Sequence, residues 1–202
     1  MREQFLRHAD VQFVHNKCHD YGWAENYLFE LAGQSIGYAS VWGLHDRNER
    51  DTLFEFYLIP QELRLMERAA ELFFKNVNVR YIECQTNMAL QTQVLFRFAR
   101  NINAESVLFT DANKTKLTIE NCVFRQRIDS DPKNRDDDGP YILLHNDSLV
   151  AYGGLMYNYN APYADVYMHV VDGNRQQGFG GLFVQELKRL AYEQNKVPAA
   201  RC

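Results

Sequence analysis

Arg175-Gln176-Gln177-Gly178-Phe179-Gly180-Gly181 lies between an apolar run at 164–171 and an amphipathic run that begins near Gly178. A turn of that composition suits an anion. The first turn of a helix leaves main-chain N–H groups without partners, and the aligned peptide dipoles add partial positive charge there. Glycines at 178, 180 and 181 leave room for a phosphate to reach those amides, and a guanidinium at 175 can pair with a phosphate oxygen. Two better-known glycine turns do not fit. A Rossmann G-x-G-x-x-G counted from Gly178 ends on Phe183, and a P-loop counted from Gly173 meets Gly178 but continues with Phe179-Gly180 rather than Lys-Ser/Thr.

Acid–base chemistry has fewer candidates. Asp165, Tyr167 and His169 alternate along the preceding run and so share one face of a strand. His169 has the intrinsic pKa better suited to taking an ammonium proton near neutrality, and Asp165 is the second candidate base. Tyr152, Tyr157, Tyr159, Tyr163 and Tyr167 are read as strand formers with half-buried rings rather than as ligand platforms. His8, His15, His19 and His145 receive no role.

These residues need elements to hold them. In the second half the pattern predicts strands at 141–144, 150–157 and 164–171, a helix from about 178 to 195, and a last strand from Val197. On that helix Phe183, Leu187, Leu190 and Ala191 form the apolar face, and Gln185, Glu186, Lys188, Arg189 and Glu193 the polar one. The first half has the same order: strands at 27–31, 36–42 and 52–59, a helix opened by Pro60, a strand at 81–84, a helix at 92–100, and strands at 105–110 and 117–127. The stretch 129–140 is acidic and rich in breakers, as an exposed linker would be. The expected organisation is therefore a domain at 1–128, a linker at 129–140 and a domain at 141–202. Ile36-Gly37-Tyr38-Ala39 can be laid on Val150-Ala151-Tyr152-Gly153, and Leu58-Ile59 on Val170-Val171, which suggests a tandem repeat. In that register Arg175, Gly178 and Gly180 fall on Leu63, Met66 and Arg68, so the first copy lacks the glycine turn.

The spacing Arg175-x-x-Gly178-x-Gly180, set between a strand and the helix text Leu182-Phe183-Val184-Gln185-Glu186-Leu187-Lys188-Arg189, resembles the signature of the GNAT superfamily of N-acetyltransferases. The resemblance implies an α/β (α+β) fold of tandem GNAT-like mixed sheets flanked by helices, the second copy incomplete. It implies an acyl-CoA, acetyl-CoA first, as co-substrate with no metal. Main-chain groups of Val170 and Val171 would hold the pantetheine arm, and the amides of Gln176, Gln177, Gly178, Phe179, Gly180 and Gly181 the pyrophosphate, with Arg175 at its mouth. An acceptor amine, from a small molecule, a peptide N-terminus or a lysine, would attack the thioester directly. A glutamate on this strand often serves the family as base, and 164–171 contains none, which leaves His169 or Asp165. By the repeat register, counterparts of residues 85–128 would follow Cys202. The second copy is therefore expected to be truncated in its fifth strand, with an open edge that a second chain in a homodimer could complete. The alternative reading is a non-catalytic acyl-CoA-binding or sensing module.

Bulk properties exclude other classes. A net charge of -4 over 202 residues attracts neither nucleic acid nor an anionic membrane. No apolar run approaches the roughly 20 residues of a spanning helix. Cys18, Cys84, Cys122 and Cys202 are scattered, which fits neither a zinc site nor a disulfide framework and points to a cytoplasmic protein.

Overall fold

The strand-like runs form two separate mixed sheets, one in each of two units, Met1–Ala104 and Glu105–Cys202. The structure is a computed structural model that describes residues 1–8, 19–111, 113–133 and 139–202. His15, Cys18 and the middle of the expected linker, 134–138, lie outside the described residues.

Unit 1 contains α1 (Arg2–His8), β1 (Ala24–Leu31), β2 (Gln34–Trp42), β3 (Thr52–Leu58), α2 (Met66–Asn76), β4 (Tyr81–Ile82) and α3 (Ala89–Phe98). The sheet order is β1-β2-β3-β4, antiparallel except for the parallel β3–β4 pair. One face buries Ile36, Ala39, Val41, Leu53, Phe56 and Leu58 against Ala70 and Phe73 of α2 and Val94 of α3. The other face sets Tyr38, Phe54 and Tyr57 against Phe5 of α1. Pro60 opens a 3-10 turn, Pro60–Leu65, and the α-helix begins only at Met66. The Pro ring fixes φ for a turn as well as for a helix start, so the sequence signal does not separate the two.

Unit 2 contains β5 (Leu108–Thr110), β6 (Cys122–Gln126), β7 (Tyr141–His145), β8 (Ser148–Met156), β9 (Tyr163–Val170), α4 (Phe179–Glu193) and β10 (Val197–Arg201). Its order is β5-β10-β9-β8-β7-β6, with only β9 and β10 parallel. Phe179, Leu182, Phe183 and Leu187 of α4 pack on Leu143, Val150 and Ala151, with Val166, Met168 and Val170 of β9 beside them.

This corrects the expected boundary at 128. Residues 105–128 belong to unit 2, because β6 pairs with β7 from Cys122↔His145 to Gln126↔Tyr141 and β5 pairs with β10. Alternating apolar residues identify a strand but not its partner, so the pattern placed both strands with the preceding copy. The stretch read as a linker joins two paired strands, and Asp131 within it accepts two bonds from Arg125 at 2.6 and 2.7 Å. The edge of β10 expected to be open carries β5, in the register Ala199↔Thr110 to Arg201↔Leu108. Among the described residues no helix is long and apolar enough to cross a membrane.

Candidate functional site

β9 ends at Val170, and the chain turns through left-handed Gly173, Gln176 and Gly178 before α4 starts at Phe179. Gly178 is the N-cap at φ 85°, a conformation that costs a residue with a Cβ about 1 kcal/mol or more. No side chain caps the helix, and the first bond closing it runs from the N–H of Leu182 to the carbonyl of Gly178. The amides of Phe179, Gly180 and Gly181 therefore lie ahead of any intrahelical acceptor. The three glycines serve different ends. A Cβ at Gly180 would stand 3.3 Å from both Met168 Cε and Val170 Cγ2, so that residue lets α4 lie close on β9. Gly178 and Gly181 are exposed, bordered by Ile119 and Leu117. Arg175 is largely exposed and pairs with Asp172 at 2.9 Å, while Gln177 Nε2 donates to the Gly173 carbonyl at 3.1 Å.

The segment leading to β6 lines this helix. The Leu117 N–H donates to Gln185 Oε1 at 2.6 Å, and Gln185 Nε2 returns a bond to the Leu117 carbonyl at 3.0 Å. Lys188 Nζ donates to the Asn113 carbonyl at 2.6 Å and pairs with Asp111 at 2.8 Å, and Tyr192 donates to the same carboxylate. Gln185 and Lys188, read from sequence as a solvated helix face, are thus tethered. Their spacing says only that they leave the core, and the main chain that meets them is remote in sequence.

Beside the turn, the sheet opens. β10 pairs with β9 only at Tyr163, Ala164 and Asp165, then continues along β5. Residues 166–170 keep β8 on one side and, among the described residues, have no strand on the other. The Val171 N–H donates to the Val150 carbonyl at 2.9 Å, so in this antiparallel ladder the odd-numbered residues bond toward β8. Val166, Met168 and Val170 therefore turn their N–H and C=O groups toward the opening. Val170 is the last residue of β9. Val171 is not available in the same way, since its N–H is bonded to Val150 and its carbonyl accepts from the Asn174 N–H at 3.0 Å.

Asp165, Tyr167 and His169 do share one face of β9, opposite α4, because Val166, Met168 and Val170 occupy the α4 face. His169 lies across from Tyr152, ring centroids 5.2 Å apart. Asp165 sits four residues earlier, roughly 13 Å along the strand, where β9 and β10 part. Its side chain is 9% exposed. Burial pushes its carboxyl up from the ordinary value, against the charge of Arg201 and a hydrogen bond from Tyr159.

The arrangement of elements is similar to that of solved acetyltransferase structures. A GNAT-family acetyltransferase from Colwellia psychrerythraea matches 96% of this chain over 81% of its own, at 17% identity and a TM-score of 0.65. A GCN5-related N-acetyltransferase from Sphaerobacter thermophilus matches 88% of this chain over 71% of its own, at 12% identity and a TM-score of 0.52. The fold is that of the GNAT acetyltransferases. No protein-family model and no curated protein matches the sequence.

Unit 1 starts α2 without a glycine turn. Leu63 lies in the 3-10 turn, and Met66 and Arg68 in the first turn of α2. Its sheet instead holds a charge. A register shift between Ser40 and Val41 lets Phe54 and Glu55 project toward the α1 side together. Glu55 is fully buried and accepts from Arg2 Nη2 at 2.8 Å, Arg2 Nε at 3.1 Å and Tyr38 Oη at 2.8 Å, with His19 Nε2 3.4 Å away. Burial alone would raise its carboxyl, but contacts with His19 and Arg2 hold it below the ordinary value. The sequence reading passed over this cluster and gave His19 no role. One signal was present, a lone glutamate inside the apolar run Thr52–Leu58, since a carboxylate is seldom fully buried unless paired.

Proposed function

We propose that unit 2 binds an acyl-CoA, acetyl-CoA first, and transfers its acyl group to a primary amine, while unit 1 is a diverged copy that lost the coenzyme turn. One observation carries this reading: the open edge of β9 runs from the glycine turn at one end to the buried carboxylate of Asp165 at the other. An acyl-CoA has matching parts, a pyrophosphate, an extended arm with two amides, and a thioester. The free amides at the start of α4 suit the pyrophosphate, with Arg175 able to leave Asp172 for it. Val170, Met168 and Val166 present main-chain donors and acceptors over about 16 Å of strand, an edge on which an amide chain can lie as an added strand would.

That placement favours Asp165 over His169 as base. The thioester end of an arm anchored at the turn reaches the point where β9 and β10 part, beside Asp165, whereas His169 stands near the pyrophosphate end and faces Tyr152. The amine nitrogen attacks the thioester carbonyl carbon, the C–S bond breaks, and Asp165 accepts a proton from the nitrogen. The leaving thiolate takes up one proton, so the transfer balances as amide plus free thiol. A carboxyl raised by burial is a stronger base than a surface aspartate, which suits this step. The acceptor is a small-molecule amine, a peptide N-terminus or a lysine.

Calorimetry with acetyl-CoA, followed by thiol release across a panel of amines, polyamines and peptides, tests the proposal. Binding with amine-dependent thiol release is the expected result. Binding without release from any acceptor favours the acyl-CoA-binding module, and no heat and no thermal shift rejects both readings.

A further inference from the structure

The strands of unit 1 part as those of unit 2 do. β4 pairs with β3 only at Thr52 and Leu53, and the last bond between them runs from the Glu83 N–H to the Leu53 carbonyl at 2.9 Å. Beyond it the β4 side of β3 would be bare. Because the Ile59 N–H bonds the Ile36 carbonyl on the β2 side, Phe56 and Leu58 must turn their main-chain groups toward the gap. In the repeat register Phe56 and Leu58 correspond to Met168 and Val170, the residues that face the opening in unit 2.

In unit 1 the gap is filled. Gln91 of α3 is fully buried, and its carboxamide lies between the parted strands. Its Oε1 accepts from the Phe56 N–H at 3.1 Å, and its Nε2 donates to the Glu83 carbonyl at 2.6 Å. A carboxamide with its oxygen on one strand and its nitrogen on the other does what a secondary amide of a pantetheine arm would do on the β9 edge. It satisfies a buried donor that the splay would otherwise strand.

We infer that Gln91 is a built-in substitute for the coenzyme's amide chain, so that unit 1 keeps its splayed strands without a ligand and only one acyl-CoA binds per chain. The count of one rests on the reading of unit 2 given above, whereas the role of Gln91 in unit 1 does not. This assigns α3 a function in the first unit: it delivers one side chain into the cleft that the lost glycine turn no longer serves.

Amide-resolved hydrogen exchange on the full chain tests both parts separately. The Phe56 amide should exchange slowly with or without acetyl-CoA, and the Met168 amide should be fast alone and slow once acetyl-CoA is added. Gln91→Met, similar in size and without an amide, should speed exchange at Phe56 about tenfold, the equivalent of one lost hydrogen bond, and leave Met168 unchanged. Propionamide should slow Phe56 again in Gln91→Ala and do nothing to the native chain. Calorimetry should find one site per chain. A Phe56 amide that is as slow in Gln91→Met as in the native chain, or one that responds to acetyl-CoA, overturns the inference, as does a second binding site. Should the variants fail to fold, a fast Phe56 amide in the native chain overturns it and a slow, acetyl-CoA-insensitive one upholds it. A Met168 amide that ignores acetyl-CoA refutes the reading of unit 2 instead and leaves the Gln91 result standing.

Discussion

Unit 1 and unit 2 each part a pair of parallel strands, and they treat the parted edge differently. In unit 2 the amides of Phe179, Gly180 and Gly181 precede any intrahelical acceptor, β10 pairs with β9 only at 163–165, and the carboxylate of Asp165 is buried where the two strands part. In unit 1 Gln91 bonds the Phe56 N–H and the Glu83 carbonyl at the splay, α2 begins on Met66 rather than after a glycine, and the buried charge is enclosed by its own partners. The difference teaches what a binding site requires of a fold. A splayed sheet is a ligand site only while its edge is left unsatisfied, and a unit that closes the edge internally gains independence from the ligand.

Five substitutions press on that contrast. The largest effect belongs to Gly178→Glu, which puts a carboxylate where the phosphates would lie. Acetyl-CoA affinity should fall more than about 100-fold by calorimetry, near 3 kcal/mol or beyond, while the exposed position lets the chain fold. Affinity within a few-fold of the native value would remove the turn from the site.

Next comes Arg2→Met in unit 1, which leaves Glu55 buried without its main partner. A loss of about 3 kcal/mol in unfolding free energy is expected by chemical denaturation, with acetyl-CoA affinity unchanged. The pH dependence follows from the lowered Glu55 carboxyl. Its contribution is complete above the unfolded value near 4.5 and drains away as pH falls through the lower folded value. Arg2→Met should therefore begin acid unfolding at a higher pH than the native chain. Coincident acid transitions would show that the cluster contributes little.

Asp165→Asn then separates the two candidate bases. An amine-transfer kcat lower by about 100-fold is expected with little change in KM for acetyl-CoA. In the native chain the acid limb of the kcat profile should lie above the ordinary carboxylate range, since burial raises this group. His169→Gln should stay within about threefold of native. If the histidine variant suffers the larger loss, the assignment reverses.

Smallest is Arg175→Ala. The side chain is exposed and already paired with Asp172, so affinity for acetyl-CoA should drop by less than about tenfold. A greater loss would mean that the guanidinium is drawn into a dry site on binding.

Some of this was legible in the residues and some was not, for identifiable reasons. The turn at 175–181, the helix behind it and the shared face of Asp165, Tyr167 and His169 follow from local rules: glycine at positive φ, spacing of 3.6 and alternation of two. The tethering of α4 by Asp111, Asn113 and Leu117, the Gln91 bridge and the Glu55 cluster join groups far apart in the chain, and no periodicity reports such meetings. Preference for His169 came from intrinsic pKa, a property of one residue. Preference for Asp165 came from where two strands part and from burial, which are properties of the sheet.

By itself, the sequence determined the kinds of elements, their order and the glycine turn that starts α4, because each depends on neighbours a few residues away. Only the tertiary structure decided that 105–128 serves the second sheet, that β5 covers the edge of β10, that Val171 is already bonded, and that one splay is open while the other is filled. Strand partners and buried hydrogen bonds are set by competition among all the chain's donors and acceptors at once, and that competition is resolved only when the sheet forms.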